Sequence, residues 1–343
     1  MPAVIDAIDY MLPARTESIN EIAAHYPDWP LERIAEKTGI HARHVAGADE
    51  CASDFGVIAA ERLLDKTQTS AGDIDYLIFC TQTPDYLAPT TACLVQQRLG
   101  LGQHVGALDI NLGCSGYIYA LGVAKALIET GQSKKLLLIT ADTYSKFVNP
   151  GDKSVRALFG DAAAATLLSA RADTETIGPF VYGTDGTGAQ DLIVPTSGMR
   201  RRAAHTPADE YADRHGNVRS DHNIFMNGRA IVTFTLREVP RAIDALCDKA
   251  GITLDDVDAV VPHQASAMVL EGIRQKLDLP RERYVVCMED IGNTVSCSIP
   301  IAIKRALDKG KIKPGALLLL VGFGVGLSWG ATLVRLPDDL VWA

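Results

Sequence analysis

The chain resembles itself, and this restricts its fold more than any single motif. Gly113 and Gly292, Cys114 and Asn293, and Gly131 and Gly310 each lie 179 residues apart. Gly113-Cys114 heads a small-residue helical stretch through Lys125-Ala126-Leu127, and Gly292-Asn293 heads another through Lys304-Arg305-Ala306-Leu307. The glycine ending each stretch suits the left-handed position that follows a helix. Each stretch is preceded by a turn and an apolar run (Asp73 to Phe79, Asp256 to Pro262). Each is followed by an aliphatic run, Leu136 to Ile139 or Leu317 to Leu320. Gly160-Asp161-Ala162-Ala163 and Gly330-Ala331-Thr332-Leu333 then close the two series. The pattern predicts two α/β halves of like topology, residues 1–175 and 176–343, joined near 170–180, with mixed sheets covered by helices. Residues 186–227 have no counterpart in the first half. Their Gly, Pro, Arg, Asp and His content predicts an irregular, partly mobile insertion near a site mouth.

A chain of 343 residues can hold two such fused cores. Its net charge of −9 argues against nucleic-acid binding, though not against an acidic partner on a local basic patch. The seven cysteines contain no C-x-x-C pair, and their number is odd. Neither a zinc site nor a disulfide framework is expected, which points to a reducing, cytoplasmic setting. Met1 to Asp9 lacks the basic start of a signal peptide. Gly315 to Val334 is 20 residues without a charge, long enough to span a bilayer. Its five glycines divide it into strand, loop and strand instead, and buried strands also read as unbroken apolar runs. No membrane association is expected.

Equivalent loops of a two-fold repeat often converge. Cys114 and Asn293 are equivalent, and His263 ends the strand whose partner ends at Cys80, so Cys114, His263 and Asn293 are candidates to meet. A cysteine at a helix N-terminus has its thiolate favoured by backbone N–H groups and the helix dipole, which suits a covalent nucleophile. The plain alternative is a buried structural cysteine, and the other six keep that reading. His263 could be a satisfied core histidine and Asn293 a helix cap. Together they offer two hydrogen-bond donors to one oxygen, as on a carbonyl becoming an enolate. Gly322-Phe323-Gly324-Val325-Gly326 is a weak phosphate loop, because no Lys-Ser/Thr follows it, but it suits backbone approaching a substrate carbonyl.

At these residues the sequence resembles the thiolase superfamily, specifically the β-ketoacyl-acyl-carrier-protein synthase III family. The carriers are Thr38-Gly39-Ile40, Asp109 to Gly116, Leu158 to Asp161, Met226 to Arg229, Val261 to Ala265, Gly292-Asn293-Thr294, and Gly322 to Gly326 with Ser328-Trp329-Gly330. The resemblance implies a homodimer of five-layered αβαβα subunits and a ping-pong cycle. Cys114 takes an acyl group from a CoA or carrier-protein thioester. Malonyl thioester then loses CO₂, and its enolate attacks the acyl-enzyme. By the same match, His263 and Asn293 hold the enolate oxygen, and the backbone N–H groups of Cys114 and Val325 form the oxyanion hole. No metal or bound cofactor is implied. The Cys-His-Asn set fits synthase III and chalcone-synthase-like enzymes. Gln82 stands where hydroxymethylglutaryl-CoA synthases carry a Glu base, which disfavours that activity.

Several substrate positions depart from the housekeeping pattern. Arg33 and Lys37 stand where a Trp and an Arg clamp the CoA adenine; a guanidinium can still stack there. Lys153 replaces a phosphate-contacting Arg, and Met268 replaces an Arg linked to CoA and carrier contact. Gly228 falls among the substrate-binding positions and Phe323 at the acyl pocket. Ala88 replaces a residue, often Phe, that shapes the acyl pocket across the dimer, so a primer longer or bulkier than acetyl is expected. Met199-Arg200-Arg201-Arg202 is either a contact for phosphates or an acidic carrier protein, or a solvated turn. The departures lean toward a specialised pathway over fatty-acid initiation. Two other readings stay open: acyl transfer from Cys114 to an alcohol or amine, and a non-catalytic partner of another ketosynthase.

Overall fold

The computed structural model describes residues 1–171, 176–205 and 208–338. The apolar runs form two principal sheets. The first contains β1 (Ala3–Met11), β4 (Tyr76–Cys80), β5 (Gly106–Ile110), β6 (Lys135–Asp142) and β7 (Ala162–Ala170), in the order β1-β7-β6-β4-β5; β2 (Thr16–Ser18) and β3 (Ala42–His44) pair beside it. The second contains β8 (Ile177–Thr184), β13 (Ala259–Pro262), β14 (Leu317–Gly324) and β15 (Ser328–Arg335), in the order β13-β14-β15-β8. β4–β6 and β13–β14 are parallel, whereas β6–β7, β7–β1, β14–β15 and β15–β8 are antiparallel. The place of β5 is reduced in the second sheet to one parallel bridge, Val260 to Tyr284. The first sheet draws only on residues 3–170 and the second on 177–335. Residues 172–175, at the expected boundary between halves, lie outside the described residues.

Both faces of each sheet are buried, which explains the unbroken apolar runs. Leu77, Phe79, Leu137 and Ile139 face one core, while Ile78, Cys80, Leu136 and Leu138 face the next. In the second sheet Ala259, Val261, Leu318 and Leu320 share that middle core, and Val260, Leu319 and Val321 face a third. The middle core is filled by α5 (Gly116–Glu129) and α8 (Ser298–Asp308), each packed against strands of both sheets. The outer face of the first sheet is covered by α3 (Ala52–Thr67) and α4 (Thr91–Arg98). The second sheet carries α6 (Gly228–Ala250) on its outer face, with α7 (Ala267–Lys276) packed on α6. The result is the expected αβαβα stack. Gly116 lets α5 sit close on β4, because a Cβ there would lie 2.6 Å from Cys80 Sγ.

α5 and α8 end at Glu129 and Asp308, the same 179 residues apart as their glycines. Their starts differ. Asn293 does not begin the α-helix directly: a 3₁₀ turn, Val295–Cys297, precedes Ser298. Gly315 to Val334 is β14, a loop and most of β15, and among the described residues no helix is long and apolar enough to cross a membrane. The insertion is not wholly irregular. It holds β9 (Leu192–Ile193) paired with β12 (Phe225–Met226) and a hairpin of β10 (Glu210–Ala212) and β11 (Val218–Ser220).

Candidate active site

Cys114 sits two residues before α5, His263 directly after β13, and Asn293 before the turn into α8. All three line one cavity of about 280 Å³. Its wall also includes Lys37, Lys153, Gly228, Met268 and Phe323. Lys37 belongs to α2 (Leu31–Thr38), which packs with α1 (Ile19–His25) beside α7. Lys153 Nζ donates to the His215 carbonyl at 2.5 Å, tying the insertion to the cavity wall. Two expected residues are not on the wall. Arg33 is exposed one turn before Lys37, and Ala88 is exposed in a loop away from the cavity. Its neighbours Tyr86 and Leu87 line a separate, larger cavity.

The backbone N–H groups of Val325 and of Cys114 itself lie near the Cys114 sulfur and act to lower its pKa. Close approach of this loop depends on glycine. A Cβ at Gly324 would lie 2.6 Å from Cys114 Cβ, and one at Gly322 would lie 2.9 Å from the Cys114 carbonyl oxygen. Ser328 Oγ donates to the Val325 carbonyl at 2.9 Å and lies 2.7 Å from Ser115 Oγ, fixing the loop against the start of α5. The helix end and these N–H groups favour the thiolate, but burial opposes them. Burial, with the Asp142 charge adding to it, pushes the Cys114 thiol up to about 12. Cys114 is 5% exposed, so the lost hydration of a thiolate outweighs two N–H donors and the helix end.

His263 Nδ1 lies 2.7 Å from Ser298 Oγ, and its ring meets Phe323 edge-on with centroids 5.4 Å apart. Burial depresses its pKa to about 3, although a hydrogen bond to the Val295 backbone opposes this, so the ring is neutral. Asn293 is not a simple helix cap. Its Oδ1 accepts from Val295 N–H at 3.0 Å, its N–H donates to the Leu158 carbonyl, and its carbonyl accepts from Gly160 N–H. The Leu158 to Gly160 segment, which forms a single parallel bridge from Phe159 to Asn293, is pinned in turn by Arg43, whose Nη1 donates to the Phe159 carbonyl at 2.7 Å. Arg43 is 1% exposed and paired with Glu17, which also pairs with Arg156.

Asp142 is the residue that motif reading missed. At the end of β6 it accepts from Gln82 N–H at 2.9 Å and from Ser296 N–H at 3.2 Å, and the Ser296 hydroxyl donates to it as well. It ties the first half to the turn carrying Asn293. Burial raises its carboxyl to about 7, against those hydrogen bonds. Its one sequence signal is an acid closing a largely aliphatic strand. A second cavity, of about 740 Å³, lies on the side of Gln82, Tyr144 and Val325, and Leu192 lines both cavities. Val325 faces this second cavity. Among the described residues no three His, Cys, Asp or Glu side chains cluster as metal ligands.

Residues 108–186 match the family model described as 3-oxoacyl-[acyl-carrier-protein] synthase III, and residues 247–336 match the model of its C-terminal part. A β-ketoacyl-[acyl-carrier-protein] synthase III from Clostridium perfringens is 36% identical over 92% of this chain and 94% of its own length. The chain belongs to the β-ketoacyl-[acyl-carrier-protein] synthase III family. Streptomyces coelicolor has a relative, synthase III 3, that is 36% identical over 98% of this chain and 97% of its own. A solved 3-oxoacyl-(acyl-carrier-protein) synthase III superposes with a TM-score of 0.95 at 46% identity, covering 98% of this chain and all of that one. The priming β-ketosynthase of the R1128 polyketide pathway gives 0.87 at 28% identity, covering 98% of this chain and 97% of that one. As a synthase III the chain is a condensing enzyme of acyltransferase type with a thiolase-like fold.

Proposed function

We propose that Cys114, His263 and Asn293 carry a two-stage condensation. Cys114 sulfur attacks an acyl thioester, the acyl–CoA (or acyl–carrier) C–S bond breaks, and the thiol proton leaves with the departing thiolate. The N–H groups of Cys114 and Val325 serve the oxyanion of this step. A malonyl thioester then loses CO₂, its electron pair becoming an enolate whose oxygen accepts from neutral His263 and Asn293. The enolate carbon bonds to the acyl carbonyl carbon, the acyl–Cys114 bond breaks, and the thiolate returned takes a proton. The carrying observation is the convergence of these three side chains on one cavity, with His263 buried and neutral. A neutral ring donates without holding a charge, as an enolate oxygen requires. That fits condensation better than acyl transfer to an alcohol or amine, which would call for a stronger base than a ring whose pKa is depressed to about 3.

Lys37 and Lys153 are the cations for the phosphates of CoA or a phosphopantetheine arm, with Gly228 and Met268 beside it. The supporting observation is their place on the wall of the Cys114 cavity. Malonyl-carrier protein is the extender. No resident cofactor is required, since each step uses side chains, backbone or substrate. Residues 1–175 and 176–343 are the two units of the repeat. The enzyme works as a homodimer in the cytoplasm. β5 is an open sheet edge whose five residues are only half-buried, and Tyr86 and Leu87 nearby are 61% and 77% exposed. Intact-protein mass spectrometry with acyl-CoAs, then malonyl-carrier protein, tests the cycle. An adduct absent in Cys114→Ala, released as a β-ketoacyl product with CO₂, supports it; no adduct from any donor overturns it.

A further inference from the structure

The second cavity adds a chemical detail. Its wall carries an apolar stretch of Phe147, Ile193, Val194 and Ile224, while Asp85, Asn111 and Lys146 line it elsewhere. At the end beside the nucleophile it is polar. Tyr144 there donates its hydroxyl proton to Gln82 Oε1. This bond sets the orientation of the carboxamide, whose Nε2 makes no hydrogen bond among the described residues. The carboxamide abuts the residue before the nucleophile: a Cβ on Gly113 would lie 3.1 Å from Gln82 Cδ and 3.0 Å from Val325 Cγ1. Tyr144 is close enough to Cys114 for a thiolate there to raise its phenol further. From a thioester sulfur to the third acyl carbon is roughly 4 Å, a reach comparable with the step from Cys114 to a carboxamide that abuts the neighbouring Gly113. A simple alkanoyl chain would cover the Nε2 donor without satisfying it, and a buried unpaired donor costs about 1–3 kcal/mol.

We infer that this cavity receives an acyl chain oxygenated at its third carbon and apolar beyond it, with Gln82 Nε2 donating to that oxygen. The substrate class is thus a 3-oxoacyl or 3-hydroxyacyl thioester of medium length. The inference rests on the reading of Cys114 as the acyl carrier and deepens it. The volume of about 740 Å³ accommodates such a chain, and the stretch of Phe147, Ile193, Val194 and Ile224 receives its tail.

The test is the rate of Cys114 acylation, followed by intact-protein mass spectrometry, with octanoyl-CoA, 3-oxooctanoyl-CoA and 3-hydroxyoctanoyl-CoA. One satisfied hydrogen bond predicts that one or both oxygenated chains react about tenfold faster than octanoyl. Gln82→Met, of similar length, should bring that ratio close to one. Tyr144→Phe, which frees the carboxamide to turn, should reduce it. A wild-type ratio at or below one overturns this inference and leaves the acyl-carrier reading intact. A ratio unchanged in Gln82→Met also overturns it. Failure of all three thioesters to form an adduct, while another acyl-CoA does, overturns this inference alone; failure of every donor removes the acyl-carrier reading as well.

Discussion

Asn293 and Val295 are joined by a hydrogen bond of 3.0 Å from the Val295 N–H to the Asn293 side-chain oxygen. With the oxygen end occupied, the amide nitrogen is the end left for substrate; its protein contact is a 3.5 Å approach to the Ala265 carbonyl. Val295 itself has a positive φ of 52°, a conformation unfavourable for a β-branched residue. The turn therefore holds Asn293 in place at a local cost.

Asn293→Asp keeps the acceptor and removes the donor. Acylation of Cys114 should survive, while release of CO₂ from malonyl-carrier protein falls about 10²–10³-fold. His263→Ala should show the same split. Equal losses in both half-reactions, measured separately by adduct formation and by labelled CO₂, would refute the division of roles.

Gly324→Ala places a Cβ against Cys114. The 2.6 Å approach to Cys114 Cβ cannot be tolerated without movement of the nucleophile or the Val325 loop. Displacement of about 1 Å at reacting atoms costs about 10²-fold. Burst acylation should drop by that order with thermal stability lowered far less; near-normal acylation would show that the loop yields.

Asp142 acts on Cys114 through charge. Above about pH 7 it is ionised and raises the thiol pKa. Asp142→Asn removes that charge, so the pH dependence of iodoacetamide alkylation at Cys114 should move to lower pH. A shift to higher pH would contradict the electrostatic argument. Because the folded carboxyl is raised from 3.8 to about 7, its contribution to stability is complete below 3.8 and is lost as pH rises through about 7.

His263 is held neutral, its folded pKa depressed from 6.5 to about 3. Its contribution is therefore present above pH 6.5 and is lost as pH falls toward 3. In spectra of ring-labelled histidine, the signal missing from His263→Ala should keep its neutral position from pH 8 to pH 5. Titration near 6.5 would mean that the ring is charged during turnover at mildly acidic pH.

Arg43→Met strands Glu17 with Arg156 alone and releases the Phe159 carbonyl. Breaking a buried pair costs about 3–5 kcal/mol. Denaturant unfolding should show a loss near the lower figure, since one partner of Glu17 remains.

Much of the architecture was legible along the chain. The 179-residue spacing matches helices that end at equivalent residues, and the apolar runs are strands buried on both faces. The spacing did not reveal the 3₁₀ turn before α8, because its strained Val295 follows from tertiary packing and the chain carries no glycine there to mark it. It also gave no sign that β5 has only a one-residue counterpart at Tyr284.

The amino-acid order by itself determined the repeat, the two sheets, and the candidacy of Cys114, His263 and Asn293, because periodicity and motif are local properties of a chain. Only the tertiary structure decided how those residues behave. The Cys114 thiol and the His263 ring take their protonation from burial, which depends on atoms brought from both halves. Asp142 became visible only when β6 and the turn at Ser296, 154 residues further along, met across the middle of the molecule. Gln82 likewise depends on Tyr144 for the direction of its amide. Hydrogen-bond direction and desolvation belong to the assembled site, so no reading of spacing could supply them.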